Sequence, residues 1–312
     1  MYKTARAISG TLMWSAIHNE LNIHSLEAIN GISADVLRLD AVHNIISGNK
    51  IFKLKGFIDT ALEQGLGLAS TGGSCSNHLH ALSAAGTVFG FKTKVFVHSH
   101  TKVLTPTLND ILNWGTDVQW IKPHNIFSTT PDLDANWLWV PAGAMGAQGL
   151  PGFKVLKPFL MPYTHIMCAA GTGTTALALH QLMHAKQQII AISAVRAMQS
   201  GFTNISKQFL NLKEWYKNFN FPDSSFIWTH DFAGKHFSEW DENRISYTRH
   251  HEQIHHFKWD YNYTSRVLWA FKFAANSGYF KSTDRILLIH TGGLQANRCY
   301  ESRYKLNIEH LN

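Results

Sequence analysis

The stretch His165-Ile166-Met167-Cys168-Ala169-Ala170-Gly171-Thr172-Gly173-Thr174-Thr175-Ala176 decides how this chain is read. Its first half is an apolar run ended by glycine, the pattern of a strand buried on both faces. Gly171 and Gly173 permit a tight turn, and a helix-like stretch opens at Thr174. A strand, a glycine turn and a helix start aim unpaired backbone N–H groups at an anion. Thr172, Thr174 and Thr175 add hydroxyl donors, so the segment reads as a phosphate cradle. The simpler alternative is a plain glycine turn between strand and helix. A Walker loop is excluded, because no Gly-Lys-Ser/Thr follows. The spacing Gly171-x-Gly173-x-x-Ala176 fits a dinucleotide fingerprint. However, the next apolar run ends at Val195-Arg196 with no acidic residue for a ribose hydroxyl.

Outward from this segment, short apolar runs alternate with helix-like stretches, without an internal repeat or an obvious linker. The pattern predicts strands at 66–71, 93–98, 118–121, 138–142, 165–170, 188–195 and 285–291. Helices are expected at 49–64, 77–88, 105–114, 174–185 and 263–278. Strands alternating with helices of this length imply an α/β fold with mainly parallel sheets covered on both faces. Ligands then belong at loops leaving the carboxyl ends of strands.

Three more segments place chemistry at such loops. In TGGSCSNH (71–78), paired glycines and small polar residues precede a helix start, a nest of N–H donors suited to a carboxylate. Ser76 and Asn77 serve equally well as helix caps, the bland reading, and His78 alone is more often a filler than a catalyst. In SGNKIFKL (47–54), a Gly-Asn turn leads into a helix with Lys50 and Lys53 one turn apart. Two lysines on one face lower each other's pKa, and a neutral amine is what Schiff-base chemistry needs. Near the C-terminus, Tyr263-Thr264 and HTGGL (290–294) follow, with Thr291 where a strand gives way to a glycine turn.

One motif is a decoy. His251-Glu252-Gln253-Ile254-His255 is a literal H-E-x-x-H, a zinc pattern when it lies on a helix. It sits in a His-rich stretch of a chain with 19 histidines, which raises the rate of chance matches, and no third ligand is signposted. A surface helix is the expectation, and no metal is expected.

Composition narrows the classes. With 45% apolar and 16% charged residues, the chain reads as globular rather than disordered. A net charge of +7 raises the question of nucleic acid. Lys and Arg are nevertheless scattered, with no basic run, so a solvated basic surface drawing anionic substrates is expected instead. No apolar run approaches the roughly 18 residues of a membrane span. The N-terminal MYKTARAISGTLMW lacks the apolar core of a secretion signal. Cys75, Cys168 and Cys299, odd in number and widely spaced, suit reduced thiols in a cytoplasm.

Taken in order, SGNKIFKLK, STGGSCSNH, AAGTVFGFKT (84–93), TPTL (105–108), GTGTT, DYNYT (260–264) and HTGGLQANR (290–298) span nearly the whole chain. This order and spacing resembles the D-cysteine desulfhydrase and 1-aminocyclopropane-1-carboxylate deaminase family. That family is a branch of the tryptophan-synthase-β-like (fold type II) pyridoxal-phosphate enzymes. The resemblance implies two three-layer α/β domains with pyridoxal 5'-phosphate in the cleft between them. A small domain (53–152) would be inserted into a large one (1–52 plus 153–312), and the protein would be a homodimer. It makes Lys50 the Schiff-base lysine and gives Gly171, Thr172, Gly173, Thr174 and Thr175 the cofactor phosphate, with Lys53 a nearby cation. Asn77 would bond the ring oxygen, and Thr291 would face the ring nitrogen. Ser74, Cys75, Ser76, Asn77 and His78 would receive the substrate carboxylate, and Tyr263 would stand beside ring and substrate. Lys50, Ser76 and Tyr263 are the catalytic candidates; Thr264 joins the cofactor set.

The implied reaction removes ammonia from a small amino acid. β-Elimination of D-cysteine to pyruvate, ammonia and hydrosulfide comes first, and ring opening of 1-aminocyclopropane-1-carboxylate to 2-oxobutyrate and ammonia second. The sequence departs from its relatives in three places: Ala142 stands for a glutamate, Ala233-Gly234-Lys235 for a Gly-Gly-Tyr element, and Thr264 for the glutamate that faces the ring nitrogen in cyclopropane deaminases. A nicotinamide-binding oxidoreductase and a cofactor-binding protein without turnover are the rivals.

Overall fold

The computed structural model describes residues 21–46, 48–122, 131–194, 222, 224–236 and 239–304. The expectations that fall on Ser47, Val195, Arg196 and Phe237 lie outside these residues. Two sheets carry the fold. The larger contains β1 (Ile23–Ser25), β2 (Ala34–Arg38), β7 (His165–Ala170), β8 (Gln188–Ser193), β9 (Ser225–Thr229) and β10 (Ile286–His290), in the order β1-β2-β10-β7-β8-β9. The smaller contains β3 (Gly67–Gly73), β4 (Thr93–His98), β5 (Asp117–Ile121) and β6 (Trp137–Val140), in the order β5-β4-β3-β6. Every neighbouring pair is parallel except β1 with β2.

The apolar runs are continuous because both faces of the large sheet are covered. Ile166, Cys168 and Ala170 of β7 pack with Ile189, Ala191, Leu287 and Ile289 on one face. Met167 and Ala169 pack with Ile190, Ile192, Ile286 and Leu288 on the other. The first of these cores runs on into Leu68, Val95, Val97 and Val140 of the small sheet, so the two sheets share apolar contact. Burial on this scale stabilises by roughly 25 cal/mol per Å² of apolar surface removed from water.

The helices are α1 (Asn49–Gln64), α2 (Asn77–Phe89), α3 (Pro106–Asn113), α4 (Lys157–Leu160), α5 (Thr174–Leu182), α6 (Glu242–His255), α7 (Thr264–Asn276) and α8 (Asn297–Tyr304). In α1, Ile51, Leu54, Phe57, Ile58 and Ala61 form the buried stripe expected of helical spacing. Its start is fixed by Gly48, at φ +71°, where an added Cβ would lie 2.0 Å from the Thr291 carbonyl oxygen. The Asn49 N–H donates to that same carbonyl at 3.0 Å, pinning the helix to the loop after β10.

The structure differs from the pattern-based reading at several ends. The helix expected to reach residue 185 stops at Leu182, with extended backbone at Met183. Gln187 holds the following loop: its side-chain oxygen accepts from His184 N–H, and its amide donates to the Leu160 and Tyr163 carbonyls. The strand expected over 138–142 ends at Val140, because Pro141 has no N–H for a ladder. Strands β1, β2 and β9 were not expected. They are short, β1 is exposed throughout, and β9 is an edge strand whose Phe-Ile-Trp run has only Trp228 buried. Among the described residues, no helix is long and apolar enough to cross a membrane.

Candidate active site

Lys50 is the second residue of α1, on the turn that Thr291 anchors. Its Nζ donates to Asn49 Oδ1 at 2.6 Å, and Asn49 Nδ2 donates to Thr175 Oγ1 at 2.7 Å. The glycine–threonine loop after β7, the lysine helix and the loop after β10 are thus tied by consecutive hydrogen bonds. Burial pushes the Lys50 amine down to about 8, against an opposing pull from the Asp260 carboxylate. Burial likewise holds Lys53 well below the usual lysine value, and the Lys50 charge adds to the effect. Desolvation outweighs the lysine–lysine repulsion that the spacing predicts.

At the loop after β7, Gly173 adopts the left-handed conformation at φ +83° and caps α5 without any side-chain bond. The Thr172 and Thr174 hydroxyls lie 3.0 Å apart, and Thr174 Oγ1 reaches the Gly143 carbonyl at 3.4 Å. The first N–H groups of a helix have no partners inside it, so this uncapped start can hold an anion.

The loop after β3 behaves differently. Ser76 Oγ caps α2, accepting from His78 N–H at 3.2 Å and Leu79 N–H at 3.3 Å, while Thr105 Oγ1 donates to the Ser74 carbonyl at 2.5 Å. The capping reading of Ser76 is therefore correct as far as its lone pairs go, and its hydroxyl hydrogen remains for a ligand. Asn77 Oδ1 accepts a hydrogen bond from Gln295 Nε2, which leaves its own amide N–H groups as donors. Beside it, Gly293 has room for no side chain, since a Cβ there would lie 2.4 Å from Asn77 Nδ2.

His78 is a fixed neutral ring. Ser70 Oγ donates to the Val140 carbonyl at 2.7 Å, so at 2.8 Å it must accept from His78 Nε2–H. Nδ1 is then a buried acceptor with no hydrogen-bond partner among the described residues. Burial, then Lys50 and Lys53, push this imidazole down to about 3.

Tyr263 precedes α7, and a side chain at Gly171 would touch its ring at 3.4 Å, so the tyrosine borders the glycine–threonine loop. Thr264 is occupied locally: its Oγ1 donates to the Asp260 carbonyl and accepts from Asp260 N–H at 2.8 Å. Its hydroxyl hydrogen is therefore already spent, which tells against its place in the cofactor set. Asp260 is a site residue that the sequence pattern does not mark. It is fully buried, with Oδ1 accepting from Tyr263 N–H at 2.5 Å and Thr264 N–H at 3.3 Å. The available signal was an aspartate three residues ahead of a helix start in DYNYT, a capping pattern.

The H-E-x-x-H motif serves structure instead. It lies on α6, a surface helix that exposes Glu242, Asn243, Ser246, His250 and Gln253 and buries Arg244, Thr248, His251 and Glu252 on its other face. Glu252 Oε1 accepts from Trp259 N–H at 2.8 Å and Oε2 pairs with Lys258. Among the described residues, no three His, Cys, Asp or Glu side chains converge to hold a metal.

A solved homologue of 1-aminocyclopropane-1-carboxylate deaminase superposes with a TM-score of 0.76 at 17% identity, covering 96% of this chain and 98% of its own. The two share one fold, α/β with mainly parallel sheets. A hydrogen sulfide-producing enzyme from Fusobacterium nucleatum shares it, with a TM-score of 0.62 at 10% identity over 94% of this chain and 97% of its own. In sequence, the chain is 22% identical over 285 residues to a putative 1-aminocyclopropane-1-carboxylate deaminase of Thermotoga maritima, covering 85% of this chain and 89% of that protein. No family model matches the chain. At such identities the likeness carries the fold, and the chemistry rests on the residues themselves.

Proposed function

We propose that this protein is a pyridoxal-phosphate-dependent lyase that releases ammonia from a small amino acid. The observation that carries the reading is Lys50, a desolvated amine held near pKa 8 on a turn bonded to both the Gly171–Thr175 loop and Thr291. The residues fit the cofactor: an uncapped helix start with desolvated Lys53 for the phosphate, and Asn77 N–H donors for the ring oxygen. When bound, pyridoxal phosphate supplies an aldehyde for amines and an electron-drawing ring.

The chain's own groups do the rest. A lysine near pKa 8 is neutral in an appreciable fraction of molecules at physiological pH, so Lys50 Nζ is the group that would hold the cofactor through its aldehyde. The same Nζ would serve as the base for the proton on the carbon beside the substrate amine. The Ser74, Cys75 and Asn77 N–H groups and the Ser76 hydroxyl hold the substrate carboxylate, while Ser76 N–H closes the turn onto the Gly73 carbonyl; this fixes which bond faces Lys50. Neutral His78 keeps a third positive charge out of a site already holding two lysines.

D-Cysteine is the proposed substrate, eliminating hydrosulfide to leave pyruvate and ammonia. Ring opening of 1-aminocyclopropane-1-carboxylate to 2-oxobutyrate is supported equally, by the names of the relatives in sequence and structure. The proposal includes a homodimer, a cytoplasmic setting, and a small domain over 53–152 that moves to close the site. α1 runs unbroken across residue 53, so one helix would link the domains there. Purified protein loaded with pyridoxal phosphate should release ammonia from one of the two amino acids. Pyruvate with sulfide identifies the first reaction and 2-oxobutyrate the second. Loaded protein that deaminates neither, nor any other small amino acid, overturns the lyase reading.

A further inference from the structure

We propose that Asp260, rather than Thr291 or Thr264, is the partner of the cofactor's ring nitrogen and places a proton on it. The inference rests on the pyridoxal-phosphate reading above and concerns how strongly the ring draws electrons.

Asp260 is fully buried, and only one of its oxygens is used by the fold. Oδ1 caps the start of α7 through Tyr263 and Thr264 N–H, whereas Oδ2 has no hydrogen-bond partner among the described residues. A buried carboxyl oxygen without a partner is costly unless a ligand completes it. Oδ2 lies against Gly293, 3.2 Å from where a Cβ would be, and the same position is 2.4 Å from Asn77 Nδ2. The orphaned oxygen therefore abuts the glycine that also adjoins the proposed ring-oxygen donor, two residues beyond Thr291.

Charge divides the site into two ends. Lys50 interacts electrostatically with the Lys53 amine of the same helix and with the Asp260 carboxyl ahead of α7. Pyridoxal phosphate is an anion at its phosphate and a base at its ring nitrogen. The cationic end with the uncapped α5 start suits the phosphate, and the carboxyl end suits the nitrogen. Thr264, where cyclopropane deaminases carry a glutamate, spends its hydroxyl on the Asp260 backbone, and Asp260 supplies the carboxyl that this position lacks.

The groups around Asp260 are Lys50 of α1, Arg244 of α6, and Tyr263 at the start of α7. Burial raises this carboxyl to about 7, opposed by the two capping N–H groups and the two cations. It is thus able to carry a proton near neutral pH and pass it on. The step balances: the Oδ2–H bond breaks, a ring N–H bond forms, and a neutral acid–base pair becomes a carboxylate–pyridinium ion pair. A protonated ring draws electrons more strongly than one bonded to a threonine hydroxyl.

The test is nitrogen magnetic resonance of the full chain loaded with pyridoxal phosphate carrying ¹⁵N in the ring. Wild type should show the pyridinium shift at pH 7, and Asp260→Asn the unprotonated pyridine shift. Borohydride labelling at Lys50 in both proteins reports that the cofactor is seated. A neutral ring in wild type, as a Thr291 hydroxyl would leave it, overturns the proposal, as does a pyridinium shift that survives in Asp260→Asn. Should the Asn variant fail to fold, the wild-type spectrum still decides. Wild type that takes up no cofactor refutes the enzyme reading itself and is distinguishable from either result.

Discussion

Replacing Lys50 by methionine should stabilise the cofactor-free protein while abolishing its chemistry. Burial lowers the Lys50 pKa from 10.5 to about 8. Each pH unit of that displacement is worth about 1.4 kcal/mol, so holding the ammonium in the folded state costs about 3 kcal/mol below pH 8. The sign follows from proton counting. Because the folded pKa is the lower one, the unfolded chain binds more protons between pH 8 and 10.5, and wild-type stability rises through that window. Methionine keeps most of the side-chain volume and removes the charge. It also forfeits the bond to Asn49 Oδ1, worth about 1 kcal/mol. The net expectation is a gain of about 2 kcal/mol at pH 7, shrinking to nothing or a small loss above pH 10.5. Urea melts of both cofactor-free proteins at several pH values measure it. A variant less stable than wild type at pH 7, or a difference that does not change with pH, would refute the claim that this amine is held desolvated.

Other expectations follow from single contacts. Gly48→Ala forces a side chain to within 2.0 Å of the Thr291 carbonyl at a positive φ, so cofactor loading at Lys50 should fall at least tenfold, read by absorbance titration. The rate at which cofactor-free protein takes up pyridoxal phosphate should climb as pH rises through about 8, since the neutral amine is the reactive form, and a flat profile would contradict this. Glu252→Ala should leave loading unchanged yet cost about 1–3 kcal/mol in a denaturant melt, because Trp259 N–H loses its buried acceptor. A loss of bound zinc in that variant would revive the motif dismissed above.

The sequence displayed the fold where both faces of a strand are buried and hid it elsewhere. The runs at β4 and β7 end where their apolar patterns end, whereas β1, β2 and β9 lie at or near a sheet edge and are only three to five residues long. Glycines were informative where the chain turns sharply: Gly48 and Gly173 both adopt positive φ at the loops that carry candidate residues. Asp260 was illegible as a site residue because an aspartate before a helix reads as a cap. One of its oxygens does cap, and only three-dimensional placement shows the other beside Gly293. α6 hid its buried side for a related reason. Its buried face is polar, held by bonds such as Arg244 Nη1 to the Tyr261 carbonyl at 2.7 Å, and carries no apolar stripe.

The most direct test of the central claim is the visible absorption of the purified protein with pyridoxal phosphate, before and after borohydride. A yellow band that reduction bleaches, with the label mapped by mass spectrometry to Lys50 and absent in Lys50→Ala, is the expected result. A protein that stays colourless with added cofactor, or one labelled at a lysine other than Lys50, would contradict it.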